Sequence, residues 1–462
     1  MKKVRVGAGS ASWPDCKDSA WDVAKNGDVD YLSFDHLAEL TMAILERQKA
    51  RDPKRGYIPD VIPLMRGLLP IWKEKDKHFR MASNGGGANP EQCAEEVLKL
   101  SQELNLGGIK IGVITGDDLP LSRIDELRAQ GLKLKNMDTG EEDIDRIRDK
   151  LLAAYVYIGA DKIIEAYGGG ANLVIGGRLA DNALYCANFM HPFGWKYEDE
   201  YWDRIGAAII TGHLLECSSW SAGTCSNLWE EVPEPWHTGF PIAEMDETGE
   251  VIITKTPNSG GLVRELSLKE HLVYEVHDPH NYIMPDGIAD ITTIKLEQVG
   301  KDRVKISKLG DAPRGKRRPD MLKLCLAYDD GYISEYTSVI PGPNVFRKAE
   351  RVKEFIHKRL EYLGLKPREV LIQLIGYDSL WGPTAGPPEC EPNELGVRVA
   401  FKCNTIVEAR ECRVECGSLN WEASPVGTAF GNAPADRPVF ALWSTLIPRE
   451  AVPLNLEIKE VK

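Results

Sequence analysis

Several groups of side chains in this sequence are able to move protons or hold an acid. His213 and Glu216 are three apart in the apolar run from Ala207 to Cys217, so on a helix they share a face. Such a pair suits general acid–base work or two ligands of a metal site, and its plainer alternative is a surface contact. Tyr274, Glu275, His277 and Asp278 form the densest cluster of acid–base groups. On a strand, Glu275 and His277 would face one side and Tyr274 and Asp278 the other. The alternative is a helix end that breaks before Pro279, with Asp278 as a turn residue. Asn281 and Asp286 follow within a loop-like stretch. Asp117 and Asp118 are adjacent carboxylates after an apolar run, able to bind Mg²⁺, orient a cation or act as a general base; the alternative is an N-cap with a solvated neighbour. Arg178 can clamp a carboxylate, and Asp181 can cap the next helix, unless the two simply pair with each other. Cys217 is a nucleophile candidate whose dull reading is buried packing.

Glycine-rich turns place these groups. Asn84-Gly85-Gly86-Gly87-Ala88-Asn89-Pro90 joins the apolar run Phe79–Ser83 to a periodic segment, Glu91–Leu104. Asn89 suits an N-cap, Pro90 the first helical position, and Gln92 the far corner of a capping box. A glycine loop between a strand end and a helix start exposes N–H groups to an anion. The pattern recurs after Val4–Val6 (Gly7-Ala8-Gly9-Ser10), after Ile109–Ile114 (Thr115 to Asp118) and after Leu173–Ile175 (Gly176 to Asp181). In a parallel sheet those ends meet at one edge, where ligands bind. Asn258-Ser259-Gly260-Gly261 is a later glycine turn. The competing explanation for all of them is that glycine permits tight turns.

The surrounding pattern sets the fold class. Strand-like pieces at 4–6, 31–34, 79–82, 109–114 and 173–175 alternate with helical patterns at 37–48, 61–69, 91–104 and 144–166. That alternation predicts an α/β fold, with an N-terminal Rossmann-like, mainly parallel sheet and helices on both faces. From about Pro233 the texture becomes α+β, with strands at 251–254, 291–296, 304–306, 321–328 and 370–375 and a helix at 347–363. We therefore expect two domains, 1–232 and 233–462, packed together.

The 462 residues carry a formal net charge of −13, which argues against nucleic-acid binding. Arg314 with Lys316-Arg317-Arg318 is the one compact basic run, either a solvated hairpin loop or a site for an acidic ligand tail. The ten cysteines include no C-x-x-C pair, and Cys412 and Cys416 have no second pair to complete a zinc pattern. No apolar stretch approaches the ~18 residues of a membrane span. No signal-peptide core is present either. A cytoplasmic protein without a membrane partner is expected. No loop has the G-x-x-x-x-G-K-[ST] pattern, and Gly7-Ala8-Gly9 lacks the third glycine of the dinucleotide fingerprint. The cofactor is therefore open, with a divalent metal at Asp117, or at His213 with Glu216, as one alternative.

Taken together, Val4–Ser10, Gly27–Leu32 with Leu37–Thr41, Arg51-Asp52-Pro53 with Gly56-Tyr57, Asn84–Pro90 and Val113–Asp118 resemble the acyclic terpene utilisation family, AtuA. Ala153–Ala160, Val174–Asp181, Thr211–Cys217, Gly239–Glu244, Gly260–Val263, Leu272–Pro279 and Leu446–Glu450 extend the resemblance over essentially the whole chain. The family is named for clusters that degrade citronellol and geraniol through branched acyl-CoA intermediates, beside a geranyl-CoA carboxylase. Ser219-Trp220-Ser221 and Ser424–Phe430 stand where relatives are more glycine-rich, which leaves the substrate open. Many relatives carry a further small ferredoxin-like domain that also occurs as a separate protein, so the resemblance implies a separately encoded small subunit.

These readings converge on an enzyme of organic-acid or acyl-CoA catabolism, a hydratase, dehydratase or isomerase, expected as a homo-oligomer. His213, Glu216, Glu275, His277 and Asp117 would be its acids and bases. Gly9, Ser10, Asn84, Gly85, Gly86, Gly87, Asn89, Asp118, Arg178, Asp181, Gly260 and Gly261 would hold the substrate. The alternatives are a non-catalytic partner of a biotin-dependent carboxylase and a metal-dependent lyase.

Overall fold

The computed structural model describes residues 2–74, 79–388, 390–417, 419 and 431–460. The Ser424–Phe430 run lies outside the described residues. The chain alternates β1 (Lys3–Ser10), α1 (Lys17–Asn26), β2 (Tyr31–Phe34), α2 (Glu39–Arg51), α3 (Val61–Glu74), β3 (Arg80–Ser83), α4 (Pro90–Glu103) and β4 (Lys110–Thr115). It continues through α5 (Leu121–Ala129), α6 (Asp145–Arg148), β5 (Leu151–Val156), α7 (Asp161–Gly168), β6 (Leu173–Ile175), α8 (Asp181–Phe193), α9 (Trp202–Glu216), β7 (Pro241–Asp246) and β8 (Val251–Lys255). Together they form a mixed α/β fold.

One contact cluster contains residues 1–327 and 442–462, and a second contains 328–441. The first holds a ten-stranded mixed sheet. Its centre is parallel, in the order β1-β2-β3-β6-β4. These strands are buried nearly end to end, as expected for strands covered on both faces. Leu32 packs beside Val23 and Val29 on the α1 side of the sheet. The next residue, Ser33, turns the other way and donates to the Leu184 carbonyl of α8. Strand β6 enters between β3 and β4, so the chain reverses its direction across the sheet there. The carboxyl ends of these three strands are thus neighbours, which is where α/β sheets open a crevice.

The expected boundary between residues 232 and 233 falls inside this first unit. Strand β7 pairs antiparallel with β1 (Val6 against Ala243), β8 pairs with β7, and the hairpin 294–308 adds two more strands. On the far side, Asn455–Glu460 pairs antiparallel with β4. The single helix expected over 144–166 is instead a short helix, a strand and a second helix. Alanine-rich sequence at 153–154 satisfies either periodicity, and Tyr155, Val156 and Tyr157 favour the pleated form once a partner strand is available. Tyr157 N donates to the Lys323 carbonyl at 2.9 Å.

The second unit has its own sheet, in which Glu394–Cys403 pairs with both Glu369–Ile375 and the 332–341 segment. Val352, Ile356, Val397, Val399 and Phe401 belong to its core. Among the described residues, no helix is long and apolar enough to cross a membrane.

Candidate functional site

The Asn84–Asn89 loop has the expected frame. Asn89 Oδ1 accepts from Gln92 N at 3.4 Å, and Pro90 opens α4. Gln92 does not close a capping box, because its side chain donates to Glu96 and Asn89 N donates to Gly86 O. The loop is also not an open anion cradle. Gly85 N donates to Ser83 Oγ, Gly87 N to Asn84 O and Ala88 N to Gly56 O. Its glycines serve close packing. A Cβ on Gly86 would lie 2.6 Å from the Gly176 carbonyl and 2.7 Å from Pro90 Cβ, which locks the ends of β3 and β6 together. We expect Gly86→Ala to lower unfolding stability by about 1–3 kcal/mol. Gly107→Ala, where a Cβ meets nothing within 4 Å, is the control. Equal melting temperatures in the two variants would contradict this.

What the loop contributes is the Asn84 side chain. It is fully buried, donates to Asp35 Oδ1 at 2.5 Å and accepts from His36 N at 2.8 Å. Ser10 Oγ donates to the Asp35 carbonyl at 2.8 Å, and a Cβ on Gly9 would overlap Phe34. The ends of β1, β2 and β3 are thereby tied at one residue, Asp35, through its backbone on the β1 side and its carboxyl on the β3 side. Burial raises the Asp35 pKa well above the ordinary value, the charge of Asp181 adds to this, and Arg178 and Asn84 pull it back.

The two carboxylates after β4 separate. Asp117 is buried and accepts Arg178 N at 2.5 Å, and a Cβ on Gly177 would overlap its oxygens. Asp118 turns to Lys49, 3.7 Å away, and to Glu46. Burial, then the charge of Asp118, raises Glu46 to about 8. Among the described residues, no three His, Cys, Asp or Glu side chains form a group able to hold a metal ion. Burial also pushes Asp117 from 3.8 to about 7. The unfolded chain therefore ionises this group first, so stability falls as pH rises from about 4 through about 7 and is level above that. This one group is worth on the order of 4 kcal/mol across the window. Asp117→Asn should flatten that part of the pH dependence, read as the change in denaturation midpoint between pH 5 and pH 8. An unchanged slope would refute it.

Arg178 reaches inward from the end of β6 and is 1% exposed. Its Nη1 pairs with Asp181 Oδ1 at 2.7 Å and also donates to the Leu179 carbonyl at 3.2 Å. Its guanidinium carbon lies 4.0 Å from the centre of the Tyr157 ring. The Arg178–Asp181 pair is thus realised, and the N-cap of α8 is Ala180 instead of Asp181. The Asp181 side chain keeps 32% exposure, so the pair borders solvent.

Helix α9 brings its end to the same region. His213 Nδ1 lies 2.8 Å from Glu216 Oε1, and His213 Nε2 lies 3.0 Å from the His271 carbonyl. A carbonyl only accepts, so Nε2 carries a proton and the Nδ1–Glu216 contact shares a second one. Tyr282 Oη is 3.3 Å from Nδ1 and accepts from Asn182 of α8 at 3.1 Å. Burial raises Glu216 to about 7 against the pull of His213. Burial opposes charge on His213, but its hydrogen bond to Glu216 and the charge of Glu216 outweigh that and raise it. One proton is therefore poised on this pair near neutrality. Both Asp35 and Asp181 lie within electrostatic reach of Glu216.

Four buried polar atoms of these elements have no partner: Arg178 Nε, Asn182 Oδ1, Thr211 Oγ1 and Glu216 Oε2. Each such atom costs roughly 1–3 kcal/mol unless something else satisfies it. An unused guanidinium N–H can donate a hydrogen bond, and an unpartnered carboxyl oxygen can accept a proton.

Other expected site residues lie elsewhere. Glu275 and His277 are exposed in the turn after the helix Glu265–Leu272, so strand alternation does not apply. Asp278 accepts from His280 N and Asn281 Nδ2, as a turn residue before a helix break would. Only the charge of Glu275 reaches the His213–Glu216 pair. Gly260 N and Gly261 N donate to the His237 and Pro233 carbonyls, so these amides hold the chain's own backbone. Burial raises the Cys217 thiol, which does not suit a nucleophile. The basic run is occupied: Arg314 by Asp203, Lys316 by Asn281, Arg317 by Asp320 and Arg318 by Asp161. Asp35, His36, Asn182 and Tyr282 were not singled out by their sequence context. Asp35-His36 directly follows β2, so the strand-end rule applied to the other strands points to it as well.

The profile of the acyclic terpene utilisation family protein AtuA matches residues 4–458. The chain belongs to the AtuA family. The match includes every strand end that builds this AtuA site, from Ser10 to Arg178, and the His213–Glu216 pair. No curated protein matches the chain.

Proposed function

We propose that this AtuA-family protein is an enzyme of acyclic terpene or related branched organic-acid catabolism. It performs hydratase, dehydratase or isomerase chemistry on a carboxylate or acyl-CoA substrate. The observation that carries the reading is Glu216, a buried carboxyl that burial raises to about 7 with one oxygen unpartnered, within reach of the same Asp181 and Asp35 charges as Arg178, a buried arginine with an unused N–H. A general base works best when its pKa lies near the operating pH.

In this reading the substrate carbonyl accepts from Arg178 Nε, and Glu216 Oε2 takes a proton from the carbon next to it. The electron pair moves onto the carbonyl oxygen, where the guanidinium stabilises the enolate. Return of the proton to another carbon is isomerisation. Loss of a β-hydroxyl, which takes up that proton and leaves as water, is dehydration. His213 holds the Glu216 side chain and balances its charge.

The experiment is exchange of the α-proton in D₂O, followed by NMR over saturated, unsaturated and hydroxy acids. Free acids and CoA thioesters are both included. Exchange that depends on Glu216 supports the reading. Absence of exchange across the panel would overturn it.

A further inference from the structure

A narrow cleft of about 10 Å³, room for about one water, lies at the ends of β1 and β2, walled by Ser10, Trp13, Lys17, His36, Asp60 and Leu64 among others. His36 is 3% exposed and firmly placed. Its backbone N–H donates to Asn84 Oδ1, its ring lies parallel to that of Phe34, and a Cβ on Gly85 would sit 2.8 Å from its Cδ2. Nδ1 lies 3.4 Å from the Ser12 carbonyl and 3.5 Å from Ser10 Oγ. The carbonyl fixes the proton on Nδ1, so Nε2 presents a bare lone pair. That atom is buried and has no partner.

The other polar groups of the cleft are already satisfied. Asp15 accepts from Ala11 N and Ser218 Oγ, and Asp60 accepts from Trp13 Nε1 and pairs with Lys17 at 3.0 Å. Asp15, Asp60 and Lys17 are also the charged groups that act on the imidazole. Burial outweighs the two carboxylates and lowers the histidine to about 4, so it is a neutral acceptor at physiological pH. The cleft adjoins the site described above. Asp15 is held by Ser218, two residues beyond Glu216, and buried Tyr185 feels Asp35, Glu216 and Asp15 together.

We infer that this cleft receives the reacting O–H group, either a substrate β-hydroxyl or the water that replaces it, with the hydrogen donated to His36 Nε2. The inference rests on the reading of Glu216 as the group that serves the α-carbon, and it narrows that reading to hydration and dehydration. In the hydration direction, water gives a proton to Nε2 as its oxygen bonds to the β-carbon. The alkene electron pair moves to the α-carbon, which takes a proton from Glu216. The proton on His36 then passes through solvent to the Glu216 carboxylate, which restores both groups, and the reverse sequence is dehydration.

The test compares two rates in one protein: hydration of an unsaturated acyl substrate, and α-proton exchange of its saturated analogue, which has no O–H to place. In His36→Gln, hydration should fall about 100-fold more than exchange. The acid limb of the kcat/KM profile for hydration should disappear as well. His36→Asn keeps a donor for the Ser12 carbonyl and should behave alike, which guards against a folding defect in one variant. Weakened binding of a β-hydroxy analogue alone identifies the substrate hydroxyl as the donor, whereas unchanged binding with lost hydration identifies water. Equal losses of hydration and exchange, or hydration at the normal rate, would overturn the inference. Exchange that survives Glu216→Gln would instead overturn the reading on which it rests.

Discussion

Glu216→Gln lowers turnover by at least about 100-fold while the protein stays folded; this is the expected result if Glu216 moves a proton. Glutamine has the shape of the carboxyl and still offers an oxygen to His213 Nδ1, now 2.8 Å from Glu216 Oε1. It removes only the titration. The variant has a second signature, in stability. The folded pKa of Glu216 is raised from 4.5 to about 7, mainly by burial. The unfolded chain therefore releases its proton first, and wild-type stability declines as pH rises from about 4.5 through about 7. The raised pKa of His213 adds loss in the same direction as pH rises through its folded value. Glutamine stays neutral throughout, so the variant should be less sensitive to pH in that window. Turnover and chemical denaturation at pH 5 and pH 8 measure both effects. A variant that is still active and keeps the wild-type decline in stability between pH 5 and pH 8 would leave Glu216 with no role beyond packing.

Arg178→Met is expected to cost about 3–5 kcal/mol of unfolding free energy, the range for removing one partner of a buried ion pair. Methionine fills much of the same volume but leaves the Asp181 and Asp35 carboxyls without their cation. The partial exposure of Asp181 moderates the loss there. Asp35 is buried and feels the guanidinium charge, so its pKa should rise further when the arginine is gone. Arg178→Lys should not restore the wild type. An ammonium supplies charge, but it cannot lie flat on Tyr157 while reaching both Asp181 and the Leu179 carbonyl. Urea titration provides the measurement. An unfolding free energy within about 1 kcal/mol of wild type, at unchanged m-value, would show that the guanidinium is not a keystone of the strand ends.

The sequence made local relations visible and hid tertiary ones. The cap by Asn89, the start of α4 at Pro90 and the shared face of His213 and Glu216 follow from spacing alone. So does the gathering of glycine turns at the ends of parallel strands. The partner of each loop amide was not legible, because Gly56 O and Ser83 Oγ reach the glycine loop only through tertiary folding. Asp35 and His36 follow a strand end like the other site residues, but no glycine turn marks them. The 144–166 run was misread because alanine and tyrosine suit either periodicity, and only pairing decides between them. Likewise, no local signal tells β7 and β8 that their partner is β1, more than two hundred residues earlier.

Ribosomes release Asn455–Glu460 long after β4, whose outer edge those residues cover. At 5–20 residues per second the interval is roughly 20–70 s. Throughout that time the backbone of Lys110–Thr115 is an unpaired template, and the apolar Ile111, Val113 and Ile114 make it an adhesive one. Residues 328–441 emerge in the same interval and have a sheet and core of their own to build. The hazard is therefore kinetic and confined to the nascent chain. Slower accumulation at low temperature, or a chaperone that shields strand edges, should raise the yield of folded protein without changing the stability of the finished molecule.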